Sequence, residues 1–294
     1  VESGNEFVKL YQGEKLKLNP PESPELIVVC ADGGRIQTRQ SLKQDRWKED
    51  KVGVVYDAVA IPTQQTLERG QYQGAKAKTK TYIATMQSWE NFGWMLRLEA
   101  EVRGYPKART KLFLADGARV IRELIKLHFP EATFILDFYH AAQRLADCSK
   151  AAFDEGTVQA QKWYEQRKQM LWDGESKKII ADLQSLSKKK GLPGQQDGEA
   201  SPKVILHRNA YSYFPNNQQA IDYPTFRKQG WPIGSGVAEG SVKQFAVRLK
   251  GSEKFWNLSD TGAEETLALC ALYYAEDGRW NLHWKERTQA IPWT

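Results

Sequence analysis

The unbroken apolar runs of this chain are short. Leu26–Ala31 and Leu112–Ala115 are of strand length, and the segments between them alternate or follow a helical repeat. Residues Glu25–Ala31 read as a buried strand closed by Asp32-Gly33-Gly34, a tight-turn signal, so that Arg35–Arg39 is expected as the return strand of a hairpin. Lys51–Ile61 is a further strand candidate stopped by Pro62, and Thr81–Met86 a shorter one. Ser88 is placed to cap a helix running to about Val102, ended by Gly104-Tyr105-Pro106.

The pattern is clearest from Lys111 onward. Lys111–Ala115 reads as a strand ending in Asp116-Gly117. Arg119–His128 reads as a helix with Val120, Leu124 and Leu127 at helical spacing, and Thr133–Leu136 as a strand ending in Asp137. A strand–helix–strand unit is nearly always a right-handed parallel crossover, which sets Asp116 and Asp137 at the same carboxyl-terminal sheet edge, where α/β proteins build their sites. Tyr139 to about Lys190 is helical and strongly charged, Gln195–Pro202 a loop, and Tyr211–Pro224 a short helix with turns. Gly230–Gly236 forms a glycine-punctuated loop from which a helix runs from Val237 to about Lys250. Gly262–Ala275 is another helix, and Gly278–Trp284 closes the pattern. The organisation expected is an extension over 1–24, a first core segment over 25–138, a mainly helical insertion over 139–229 and a second core segment over 230–294.

Composition narrows the class. The chain has 294 residues, 41% hydrophobic and 27% charged, which suits a globular protein. No window reaches the roughly 18 apolar residues of a membrane helix, and Val1–Lys9 carries no signal-peptide core. Cys30, Cys148 and Cys270 are far apart and form no CxxC pair, so buried free thiols in a cytoplasmic protein are expected. The net charge of +6 leans toward polyanionic partners.

Three acidic residues stand beside glycine at element ends: Asp32, Asp116 and, in the first turn of a helix after Gly234-Ser235-Gly236, Glu239. Carboxylates at neighbouring strand ends converge, and their oxygens suit Mg2+ or Mn2+, with two ions able to serve both sides of a phosphodiester. Asp-Gly is also a common turn dipeptide, and Glu in a first helical turn is ordinary dipole chemistry. Arg35, Lys243, Arg248 and Lys250 are candidate phosphate contacts, with Lys254 close behind. Lys76–Lys80 is a basic cluster expected on a loop. Trp231 and Trp256 flank the Glu helix as core residues or as stacking platforms for bases.

Taken in order, Val29–Arg35, Leu114–Ala118, Leu136–Ala141 and Gly234–Gly240 resemble the ISKra group of bacterial insertion-sequence transposases, relatives of the Mutator-like enzymes. So do Arg248–Ser252, Phe255-Trp256, Gly262-Ala263-Glu264 and Gly278-Arg279-Trp280 to Trp284. The resemblance spans Leu26 to Trp284. It implies an α/β, RNase H-like mixed sheet flanked by helices, with a helical insertion before the catalytic Glu. It implies Asp32, Asp116 and Glu239 as a DDE triad holding two ions of Mg2+ or Mn2+, and DNA as the partner of a homo-oligomer at the bacterial nucleoid. Asp137 and His140 match the family's Asp-x-x-His signature. Either the two brace a helix start through a hydrogen bond, or His140 contacts DNA phosphate or positions the site, and Asp137 stays open as an alternative to Asp116. Members of the group carry an N-terminal end-recognition region for which little room precedes Leu26, so a catalytic fragment or truncated copy is expected. The expected activity is metal-dependent cleavage and strand transfer; a decayed DNA-binding relative and a structure-selective nuclease are the alternatives.

Overall fold

The computed structural model describes residues 23–39, 46–61, 72, 74–249, 256 and 261–290, with the side chains of Ala238, Glu239, Val242 and residues 286–290 outside that description. It is an α/β protein built on a five-stranded mixed sheet flanked by helices. The strands are β1 (Leu26–Gln37), β2 (Trp47–Val59), β3 (Lys76–Thr85), β4 (Thr110–Ala115) and β5 (Thr133–Leu136). Their order is β3-β2-β1-β4-β5; β2 runs antiparallel to β1 and β3, while β4 and β5 run parallel to β1.

β1 is apolar without interruption because both of its faces are covered. Leu26, Val28 and Cys30 enter one hydrophobic cluster, and Ile27, Val29 and Ala31 enter a second on the opposite face. Each fully buried aliphatic side chain here contributes about 1.5–3 kcal/mol. Helices α1 (Trp89–Val102) and α2 (Arg119–His128) cover the second face through Phe92, Leu96, Ile121, Leu124 and Ile125. Ser88 does cap α1, its hydroxyl accepting from Asn91 N at 3.2 Å. In α2 the buried stripe is Ile121, Leu124, Ile125 and His128. Leu127, expected inward, is exposed, because the stripe through 121, 124, 125 and 128 leaves position 127 on the flank of the helix.

The first face carries the described helices that follow β5 as far as Tyr274. Three long helices, α3 (Phe138–Phe153), α4 (Val158–Trp172) and α5 (Ser176–Lys190), are followed by α6 (Pro202–Arg208), a π turn at Asn209–Tyr213, and α7 (Tyr223–Lys228). Trp163, Leu171, Ile179, Leu183 and Leu206 belong to the same cluster as the strands, so this helical block and the sheet share one core. The chain then returns through α8 (Gly236–Leu249) and α9 (Thr261–Tyr274) to α10 (Arg279–Ala290). Phe245 of α8 packs between Tyr82 and Tyr274, with ring centroids 5.8 and 5.5 Å away.

Two expectations are corrected. Asp32-Gly33-Gly34 does not turn: β1 continues through it, paired with β2 as far as Gln37 opposite Trp47. A tight hairpin needs positive φ at its centre, which neither Gly33 nor Gly34 adopts, and β2 offers a full-length pairing partner instead, its Asp50 and Lys51 opposite the two glycines. Lys76–Lys80 is the first half of β3 rather than a loop, held by antiparallel pairing with β2.

Candidate functional site

The sheet lines up three aspartates. Pairing of β1 with β4 ends at Cys30 opposite Leu114, and pairing of β4 with β5 ends at Ala115 opposite Leu136. One step further along puts Asp116 level with Asp137, and two steps put Asp32 level with Asp116. Parallel neighbours stand about 4.8 Å apart, so the row is compact. Side chains alternate along a strand. Asp32 therefore follows Cys30, and Asp116 follows Leu114, onto the face that bears α3 and α8. Asp32 lies where β1 outruns β4 and keeps only β2 as a neighbour.

The three carboxylates differ in availability. Asp137 is 0% exposed and caps α3. Its Oδ1 accepts from Tyr139 N at 2.7 Å and His140 N at 2.9 Å, and its Oδ2 accepts from Ser235 N. Together with Phe138 N donating to Ile233 O at 2.8 Å, this fastens the loop before α8 to the start of α3. Asp137 is thus spent on backbone. Burial alone would raise its pKa, but the His140 and Ser235 contacts prevail and hold it below the ordinary aspartate value. Asp116 and Asp32 are only partly buried. Asp116 accepts through Oδ1 from Ala118 N at 2.8 Å, and Asp32 Oδ1 from Gly33 N at 2.8 Å.

His140 supplies positive charge to the row. Its Nδ1 lies 3.5 Å from Asp137 Oδ1, an ion-pair separation longer than a good hydrogen bond. The Asp137 partner pushes its pKa up to about 9 against the opposing effect of burial, with the charges of Asp137, Asp116 and Asp32 adding to the rise. One imidazolium therefore faces several carboxylates at neutral pH.

The helical block bolts the edge in place. Tyr213 donates its hydroxyl to Asp116 O at 2.8 Å, Asn217 Nδ2 reaches Gly117 O at 3.2 Å, and Tyr223 donates to Leu136 O at 2.9 Å. Gly117 itself has φ +75°, and a Cβ there would clash with Leu136 Cδ1. Only glycine lets the chain turn away from β4 so tightly after Asp116.

Glu239 lies in the first turn of α8, which packs over β1 and β2 on the same face as Asp32 and Asp116. Its side chain lies outside the described residues. Lys243 is exposed one turn further along α8, and Arg248 is exposed in the last turn; Lys250 and Lys254 lie outside the described residues. Arg35 has the opposite strand parity from Asp32 and so leaves the other face of β1; the structure does not bring it to the row. Trp231 stacks on Phe226, with centroids 6.0 Å apart, and Trp256 donates Nε1 to Leu249 O at 2.9 Å; both pack against the core. Glu264 accepts from Thr85 Oγ1 and from Met86 N (2.6 Å), tying α9 to the end of β3.

The sequence reading passed over Arg122, Arg144, Tyr213 and Asn217. Arg144 follows His140 by four residues, which on a helix is the same face one turn on, and that spacing was the available signal. Tyr213 and Asn217 reach the edge from across the helical block and carried none.

Among the described residues no three His, Cys, Asp or Glu side chains form a metal-holding group. The described oxygen donors at the edge are those of Asp32 and Asp116, a donor set that suits a hard divalent cation once a third carboxylate joins it. No protein-family profile matches the chain, and no curated protein matches it. Among the described residues no helix is long and apolar enough to cross a membrane.

Proposed function

We propose that this chain is the catalytic core of a metal-dependent DNA transposase of RNase H-like fold, working on DNA in the bacterial cytoplasm. The observation that carries the reading is the level placement of Asp32 and Asp116 on adjacent parallel strands, with the helix bearing Glu239 packed across the same face. A central strand, a β-α-β edge and a helix-borne Glu are the three places that the ISKra resemblance implies for its ligands. The complete burial of Asp137 and its three bonds from backbone N–H groups favour Asp116 as the second ligand.

Asp32, Asp116 and Glu239 would hold Mg2+ or Mn2+. Bound there, the ions would neutralise the row and supply an activated water for attack on a phosphodiester. The chain's own residues do the positioning. Asp137 fixes the distance between the α8 loop and α3, Tyr213 and Asn217 hold the Asp116–Gly117 turn, and His140 offsets part of the negative charge. The +6 net charge supports a polyanionic substrate.

The test is an assay on labelled DNA with Mg2+ for both cleavage and joining. Cleavage and joined product, both lost in soluble Asp32→Asn, Asp116→Asn and Glu239→Gln, support the reading. Cleavage without joining would identify a nuclease instead, and DNA binding without cleavage a decayed relative. Full activity of the Glu239→Gln protein would refute the triad.

A further inference from the structure

The turn that presents Asp116 is flanked by two arginines. Arg122, half-buried on α2, donates through Nη1 to Gly117 O at 2.7 Å. Arg144, half-buried on α3, lies with its guanidinium carbon 5.2 Å from the centroid of the Tyr213 ring, and the hydroxyl of that ring donates to Asp116 O. The two side chains are thus anchored on the same pair of residues, one on the Gly117 carbonyl and the other through Tyr213. Arg97, Arg103, Arg167 and Arg279 each hold a carboxylate. Among the described residues, neither Arg122 nor Arg144 has one within ion-pair distance.

A half-buried guanidinium without an anion forgoes the charge-assisted bonds that its planar fork is shaped to make. Here the fork is also held, by the Gly117 carbonyl in one case and beside the Tyr213 ring in the other, so less side-chain entropy remains to be lost on binding. Arg144 shares its helix face with His140, one turn earlier. The acidic row would by itself repel a nucleic-acid backbone, and cations anchored beside it reverse that local field.

We propose that Arg122 and Arg144 form a phosphate clamp, holding a backbone phosphate of the DNA strand next to the one presented to Asp32 and Asp116. This rests on the reading of the chain as a DNA-cleaving enzyme and adds the residues that set the strand's register on the edge. Arg122 keeps Nε and Nη2 for the phosphate, and Arg144 adds a second guanidinium held beside the Tyr213 ring.

The test is fluorescence anisotropy with a fluorescein-labelled DNA duplex in EDTA, so that no strand is cut, over a series of salt concentrations. Neutralising one phosphate contributes about 0.9 to the slope of log K against log salt. Arg122→Gln and Arg144→Gln should each lower the slope by about that amount and weaken binding at least about fivefold at low salt. Arg144→Lys should keep the slope and lose affinity, since a lysine retains the charge but not the fork. Lys178→Gln, which removes a cation paired with Glu175 on α5, is the control for generic charge. A merely structural role for either arginine would lower the unfolding temperature and leave the salt slope alone. Unchanged slopes in folded Arg122→Gln and Arg144→Gln proteins overturn the clamp, as does an equal loss in Lys178→Gln. If Arg144→Gln fails to fold, Arg122→Gln and Arg144→Lys decide by the same criteria. A wild-type chain that binds no DNA refutes the transposase reading, and the clamp falls with it. A wild-type chain that binds and cuts while the variants match it refutes the clamp alone.

Discussion

Replacing Asp137 with Ala tests how the edge is held together. The carboxylate is fully buried and serves three N–H donors, two at the start of α3 and one, Ser235 N, from the loop before α8. Losing a helix cap costs about 1 kcal/mol. Stranding the buried Ser235 N–H adds about 1–3 kcal/mol. The His140 pair adds less than about 1 kcal/mol, because the imidazole is 40% exposed and screened by water. The sum is about 2–5 kcal/mol, which at about 2–4 °C per kcal/mol lowers the unfolding temperature by roughly 4–20 °C. Thermal unfolding in EDTA, followed by circular dichroism, measures it. Asp137→Asn should fall between, since its amide oxygen can still cap α3 while its NH2 meets the Ser235 N–H donor to donor. Asp137 sits below its ordinary pKa, so its contribution is complete above the unfolded value near 4 and is lost as the pH falls through the lower folded value. His140 has the opposite sign. Its contribution is complete below the unfolded pKa near 6.5 and disappears as the pH rises to about 9. Wild type should therefore lose stability across that upper window in EDTA, and Asp137→Ala should not. A fall of less than about 2 °C in Asp137→Ala, with the upper pH dependence intact, would refute the reasoning.

Asp32→Asn and Asp116→Asn should leave the unfolding temperature within about 2 °C of wild type or raise it in EDTA, because both carboxylates are partly exposed and repel each other; a large loss would make them structural. Gly117→Ala forces a side chain onto φ +75° and into Leu136, so a loss of more than about 2 kcal/mol in denaturant titration is expected. Arg279 holds Glu99 through bonds of 3.0 and 2.6 Å and Asp277 through bonds of 2.9, 2.9 and 2.7 Å, so Arg279→Ala leaves two poorly solvated carboxylates and should cost about 3–5 kcal/mol by the same method. Cys30, Cys148 and Cys270 are buried with their thiol pKa values raised chiefly by that burial, so a thiol reagent at neutral pH should label them only after denaturation.

Local pattern was enough to read the strand–helix–strand unit of β4, α2 and β5, the extent of α1 from its Ser88 cap, and the helical character of the segment after Tyr139. These are elements whose boundaries are set by neighbouring residues: a cap, a proline, an apolar repeat. The same local logic failed at Asp32-Gly33-Gly34, because a turn dipeptide has no force when a long strand such as β2 pairs across it without a break. It failed again at Lys76–Lys80, where strand pairing decided the conformation of a lysine-rich segment.

The acidic residues were legible as chemistry but not as a site. Sequence placed Asp116 and Asp137 at one edge, because a parallel crossover has a single handed solution. It left open which of them faces outward. Only the packed structure decided that, by spending Asp137 on Ser235, a residue 98 positions away. The same holds for Arg122, Arg144 and Tyr213, whose roles depend on a helical block folding back onto the turn after β4. Residue type and local spacing are fixed by the chain itself, since they act over a few bonds. Solvation and long-range pairing are set by what other segments bring to the same place, and there tertiary structure alone decided.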